Sequence, residues 1–132
     1  MRFPLYEVVL AAGRDLGYSR RMGPSKTALR YVPVARLDEL PPGEMLRIDL
    51  DGEAVVLYRT PDGVFCTDDV CSHRRRIRLS LGFLEGTVIE CPFDGGTFDV
   101  RTGKPIAGPC REAVRTHPVR VEGDTILLGL NR

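Results

Sequence analysis

The chain is short of histidine, of long apolar runs and of any excess of charge, and each shortage removes a class of function. His73 and His117 are its two histidines. They are too few for a mononuclear iron site of two histidines and a carboxylate if one of them is engaged elsewhere. No apolar run approaches the roughly 18 residues of a membrane span. Arg2 is an early basic residue, but Glu7 interrupts the apolar stretch behind it and no clear cleavage site follows, so a secretory signal is not expected. The formal net charge of +1 argues against a dedicated nucleic-acid binder, which is usually strongly basic. No G-x-G-x-x-G sequence is present, so a dinucleotide-binding reductase is not expected.

What remains is a chain of 132 residues, enough for one domain around one core, with 42% hydrophobic and 28% charged residues. Its 14 glycines and 10 prolines imply many turns and point to an all-β domain. Leu46, Ile48 and Leu50 alternate with Arg47 and Asp49, which predicts a half-buried strand. Asp51-Gly52 is a strong hairpin turn. Residues 54–58 read as a continuous apolar strand closed by Pro61-Asp62-Gly63, and residues 64–67 as the next strand. Further strands are predicted at 87–91 and 97–100. Val119 and Val121 alternate into a late strand, and Glu122-Gly123-Asp124 turns into a last one over 126–130. Many short strands at regular spacing suggest a small antiparallel β-sandwich or barrel.

Residues 1–30 stand apart. Leu5, Val8, Val9, Ala12 and Leu16 fall at helical spacing behind Pro4, while Gly13 and Gly17 weaken or end such a helix. Six Lys or Arg against Glu7 and Asp15 give this stretch a net +4 and leave −3 on the remainder. It reads as a basic N-terminal extension, a short helix or a poorly ordered arm; the sharper alternative is an arm that docks an acidic partner or pairs with a second copy, and Met22 is an alternative start. The domain itself is placed at 31–132.

The chemistry is concentrated between residues 71 and 109. Cys71-Ser72-His73 is followed, after seventeen residues, by Cys91-Pro92-Phe93-Asp94-Gly95-Gly96. Each segment offers a cysteine and a second ligand-type side chain, a donor set that suits iron–sulfur chemistry or zinc. The four cysteines are Cys66, Cys71, Cys91 and Cys110. The C-x-H and C-P-x-D contexts argue for metal ligation in a reducing cytosol rather than disulfides. Cys66 is expected to pack inside a strand. His117, before Pro118, has no partner at ligand spacing.

The stretch CSH, then CPFDGGTFDVRTGKPIAGP, resembles the Rieske [2Fe–2S] family, whose pattern is C-x-H, about sixteen residues, then C-P-x-H-G-x-x-F-D-x-x-T-G. Cys71, His73, Cys91, Pro92, Gly95, Phe98, Asp99, Thr102 and Gly103 fall where the family has them. Gly108-Pro109 resembles the proline loop that covers the cluster. Asp94 stands where the family has its second histidine. The resemblance implies a Rieske-like iron–sulfur domain with a cluster-binding subdomain of two loops at about 68–110. It implies a [2Fe–2S] cluster with Cys71 and Cys91 on one iron and His73 and Asp94 on the other. The carboxylate oxygen of Asp94 lies three bonds from its Cα, as does the imidazole nitrogen that it replaces, so its reach suits the role. Water or Cys110 is the other candidate for that place.

On this resemblance the chain is not an enzyme. It is a single-electron carrier between a flavin-dependent reductase and a terminal oxygenase, cytoplasmic, without a membrane or nucleic-acid partner. Arg74, Arg75, Arg76 and Arg78 would form a docking patch beside the cluster. The alternative is a Rieske-fold subunit that has lost the cluster or binds zinc and serves as a structural or regulatory partner. With a carboxylate ligand the oxidised cluster carries an extra negative charge. At an effective dielectric near 20 that charge is worth about 4 kcal/mol, or on the order of 100–200 mV of lowered potential before the arginines offset some of it. With one histidine ligand replaced, at most one redox-linked proton is expected.

Overall fold

The computed structural model describes residues 30–71, 77–109 and 111–130. The helix expected within residues 3–17, the side chains of His73 and Arg74 to Arg76, and Cys110 lie outside the described residues. Within them the fold is all-β, apart from two single-turn 3-10 helices, Leu37–Glu39 and Leu79–Leu81.

The architecture follows from one central strand over residues 53–60. Strands β2 (Met45–Leu50), β3 (Glu53–Thr60) and β4 (Gly63–Asp68) form an antiparallel meander. Its first hairpin turns at Asp51-Gly52, both at positive φ, 53° and 87°, the conformation this dipeptide favours in a two-residue hairpin loop. Successive residues of a strand face opposite sides of a sheet. On β3, Val55 and Leu57 enter one core, with Leu46, Ile48, Leu50, Ile126 and Leu128. Val56 and Tyr58 enter a second core, with Cys71, Leu79, Ile89, Cys91 and Phe98. The unbroken apolar run thus marks a strand covered on both faces.

The first core is closed by a three-stranded sheet in the order β1 (Arg30–Arg36), β11 (Thr125–Leu130), β10 (Val119–Glu122). Pro33, which has no N–H to give, sits on β1 at the edge of this sheet beside a break in register. Val119 and Val121 lie in a strand as expected, but Val121 faces out. It is 41% exposed, because β10 is also an edge strand. Cys66, on β4, is buried in the first core as expected, and burial pushes its thiol pKa well up.

The second core is closed by a four-stranded antiparallel sheet in the order β5 (Phe83–Glu85), β6 (Val88–Glu90), β7 (Thr97–Asp99), β8 (Pro105–Ala107). Between β8 and β10 the chain returns through β9 (Thr116–His117) to the edge of the β2–β3–β4 sheet. There His117 Nε2 meets Asp68 Oδ1 at 2.7 Å and Arg115 Nε meets Asp68 Oδ2 at 3.2 Å. His117 is therefore a clamp between β4 and β9 and not part of the cysteine site. The second core is what positions the site, because two of its members are Cys71 and Cys91.

Candidate metal centre

Two loops rise from the second core. The first begins where β4 ends, and Cys71 N–H donates to the Ile77 carbonyl at 2.9 Å across its base. The second joins β6 to β7 and is pinned by two backbone bonds. Cys91 N–H donates to the Gly96 carbonyl at 2.7 Å, and Gly95 N–H to the Cys91 carbonyl at 3.2 Å. Gly95 sits at φ 77°, where a side chain would be strained. Within this turn Gly96 N–H donates to Asp94 Oδ1 at 3.0 Å, which fixes the carboxylate over the loop.

The two loops bring Cys71, Cys91 and Asp94 together. One ligand atom from each lies within 4.8 Å of the others; both cysteines are buried and Asp94 is half-buried. None of Cys66, Cys71 and Cys91 is in a disulfide. Burial raises the Cys91 thiol to about 11, and the neighbouring Cys71 and Asp94 side chains push the same way. The backbone N–H groups of Phe93 and Asp94 hydrogen-bond its sulfur and act in the opposite direction. Such an arrangement suits a thiolate that has a cation to answer it. Two convergent buried sulfurs, backbone donors aimed at one of them and a carboxylate beside both fit an iron–sulfur group.

The glycine before Pro109 completes the cradle. A Cβ on Gly108 would lie 2.6 Å from Gly96 Cα, so this loop rests directly on the turn that holds Asp94. Gly82 is confined in the same way against the Glu90 carbonyl, with Pro92 Cδ 3.1 Å from where its Cβ would stand.

Three residues around the first loop carry no motif. Asp69 is 1% exposed and, among the described residues, accepts three hydrogen bonds, one from Arg47 and two from Ser80. A sequence pattern tied to ligands does not find them, since their contacts span 22 and 11 positions.

Comparison with known proteins agrees with this geometry. The description of the Rieske [2Fe-2S] domain matches residues 30–118. The chain belongs to the Rieske [2Fe–2S] domain family, and its cofactor is a [2Fe–2S] cluster. Within that family it is an electron-transfer protein of the ferredoxin type and not an enzyme. It is 35% identical over 102 residues to the ferredoxin component of the naphthalene 1,2-dioxygenase system of Pseudomonas aeruginosa, covering 77% of this chain and 97% of that protein. The ferredoxin of carbazole 1,9a-dioxygenase from Nocardioides aromaticivorans IC177 superposes with a TM-score of 0.70 at 39% identity, covering 79% of this chain and 99% of that one. A chain from a complex of reduced oxygenase and oxidised ferredoxin in carbazole 1,9a-dioxygenase superposes at 0.71 with 33% identity, covering 77% and 95%. Among the described residues no helix is long and apolar enough to cross a membrane.

Proposed function

We propose that Cys71, His73, Cys91 and Asp94 hold the cluster, and that the chain passes single electrons from a flavin-dependent reductase to a terminal oxygenase in the cytoplasm. The observation that carries the ligand assignment is the convergence of Cys71, Cys91 and Asp94 within 4.8 Å. The cluster supplies a one-electron couple. The protein's part is to hold it, to set its potential and to present it. Cys71 and Cys91 supply buried thiolates. Asp94, oriented by Gly96 N–H, supplies an oxygen donor where imidazole is usual and adds a negative charge that lowers the potential.

Presentation rests on the surface around the second loop. Phe93, beside Asp94, is 58% exposed, and Leu81 and Phe83, which flank the Gly82–Pro92 contact, are also exposed. Large apolar side chains in water at one end of a small protein suit a protein partner. The two ferredoxins named above serve dioxygenase systems, which supports an oxygenase as that partner. Arg78 is exposed on the other loop, and with Arg74 to Arg76 it would steer an acidic surface toward it. Transfer rates to such a partner should fall as ionic strength rises; rates indifferent to salt would exclude steering.

The test of the site is anaerobic purification, followed by visible and EPR spectra and iron and sulfide analysis. Two irons and two sulfides per chain are expected, with the loss of both in Cys71→Ser and Cys91→Ser variants. Zinc in place of iron, or neither metal, would overturn the reading.

A further inference from the structure

We propose that Asp69 is the positioning residue of the first ligand loop: it ties the loop's two ends together so that Cys71 is presented at a fixed place. The inference rests on the cluster assignment above and extends it to a residue outside the ligand motif.

The geometry is specific. Asp69 lies two positions before Cys71, at the end of β4. Its own N–H donates to the Ala54 carbonyl at 3.0 Å, which fixes its backbone to β3. Its carboxylate faces the far end of the loop. Ser80 N–H donates to Oδ1 at 2.7 Å and Ser80 Oγ donates to Oδ2 at 2.6 Å. Ser80 belongs to the 3-10 helix Leu79–Leu81, the first regular element after the loop. One side chain therefore spans the gap between the residue that enters the loop and the turn that leaves it. Arg47 on β2 completes the arrangement, with Nη1 2.6 Å from Asp69 Oδ2.

Structural support alone does not require a charge here. The Asp69 side chain is 0% exposed and that of Arg47 is 30% exposed, so the carboxylate is removed from water and, among the described residues, answered by one partly wetted cation. Burying such a pair seldom adds stability compared with apolar packing. What it provides is direction, because a carboxylate receiving three donors has one orientation. Cys71 N–H, bonded to the Ile77 carbonyl, lies inside the segment so closed. Groups hydrogen-bonded directly to metal ligands typically change affinity by about 10- to 100-fold when lost; Asp69 acts one step further back, through the backbone of the loop, so an effect toward the lower end of that range is expected.

The test uses the full chain with its cluster, handled anaerobically. Iron loss to a chelator, the EPR spectrum of the reduced protein and the urea unfolding midpoint are recorded for Asp69→Asn, Arg47→Met and Ser80→Ala. Val55→Ala, in the first core, serves as a control for destabilisation away from the loops. Asp69→Asn is expected to release iron about 10-fold faster or more, with a broadened EPR signal, and the other two variants less. Arg47→Met combined with Ser80→Ala is expected to depart from the product of the single effects, since both donors share Oδ2. If Asp69→Asn does not fold, Ser80→Ala decides, because it removes one hydrogen bond and no charge. Iron release and spectra like those of the unsubstituted protein, or changes no larger than those of Val55→Ala at equal loss of stability, would overturn the proposal. A parent chain that takes up no iron and sulfide overturns both this and the cluster assignment. A loaded parent with unaffected variants overturns this proposal alone.

Discussion

Gly108 rests on Gly96 so closely that a methyl group on it would lie 2.6 Å from Gly96 Cα. Gly96 N–H in turn holds Asp94 Oδ1, so the loop ahead of Pro109 and the fourth candidate ligand are mechanically joined. Gly108 also adopts φ 90°, which side-chain-bearing residues resist. Gly108→Ala is expected to lose about 2 kcal/mol of stability or more from strain and displacement together. Iron should also leave faster on exposure to chelator. Urea unfolding and a chelator time course measure the two. A variant unchanged in both would show that this loop does not brace Asp94.

Val55 and Val56 are neighbours in sequence and face different cores. Truncating either to alanine should cost roughly 1–3 kcal/mol. The functional consequences should differ: Val56→Ala opens space in the core that contains Cys71 and Cys91, whereas Val55→Ala does not. Thermal unfolding is expected to shift alike in both, and the EPR line shape only in Val56→Ala. Equal spectral effects would mean that the two cores are not mechanically separate.

Arg101 binds Asp99 through Nε and Nη2, at 3.1 Å each, and reaches Asp62 through Nη1 at 3.2 Å. The Arg101 side chain and backbone hold the Asp99 carboxyl below its ordinary value. A carboxyl with a lowered folded-state pKa adds stability above its unfolded value of about 3.9 and loses it as pH falls through the folded one. Arg101→Gln should therefore be less stable than the parent at neutral pH. The gap should narrow as the pH is taken below that of a free aspartate. Unfolding midpoints measured from pH 7 downward give the curve; a gap that is constant with pH would assign the effect to packing alone.

Much of this was legible in the sequence. Alternation at Leu46, Ile48 and Leu50, the Asp51-Gly52 turn and the apolar run after Glu53 mark β2 and β3, because burial and turn chemistry there are local properties. The ligand loops were legible because Cys71, Cys91 and Asp94 carry donor chemistry at motif spacing. Other features depend on distant partners. Val121 has the alternation of a half-buried strand, but its strand lies at a sheet edge. β9 is two residues long, too short to carry a pattern, and His117 finds Asp68 across 49 positions. Asp69 reads as one more acidic residue in a row of two, until β2 brings Arg47 to it and the first loop returns Ser80.

The proposed ligand set puts a carboxylate where an imidazole is usual on the cluster. The midpoint potential of the purified protein, titrated beside an Asp94→His variant, tests it most directly. One negative charge fewer near the irons should raise the potential of the variant by on the order of 100–200 mV, at an effective dielectric near 20. The reduced EPR spectrum should change with it, because a ligand atom has changed. Equal potentials and superimposable spectra would contradict the claim and leave Asp94 as a turn residue beside a cluster held by other means.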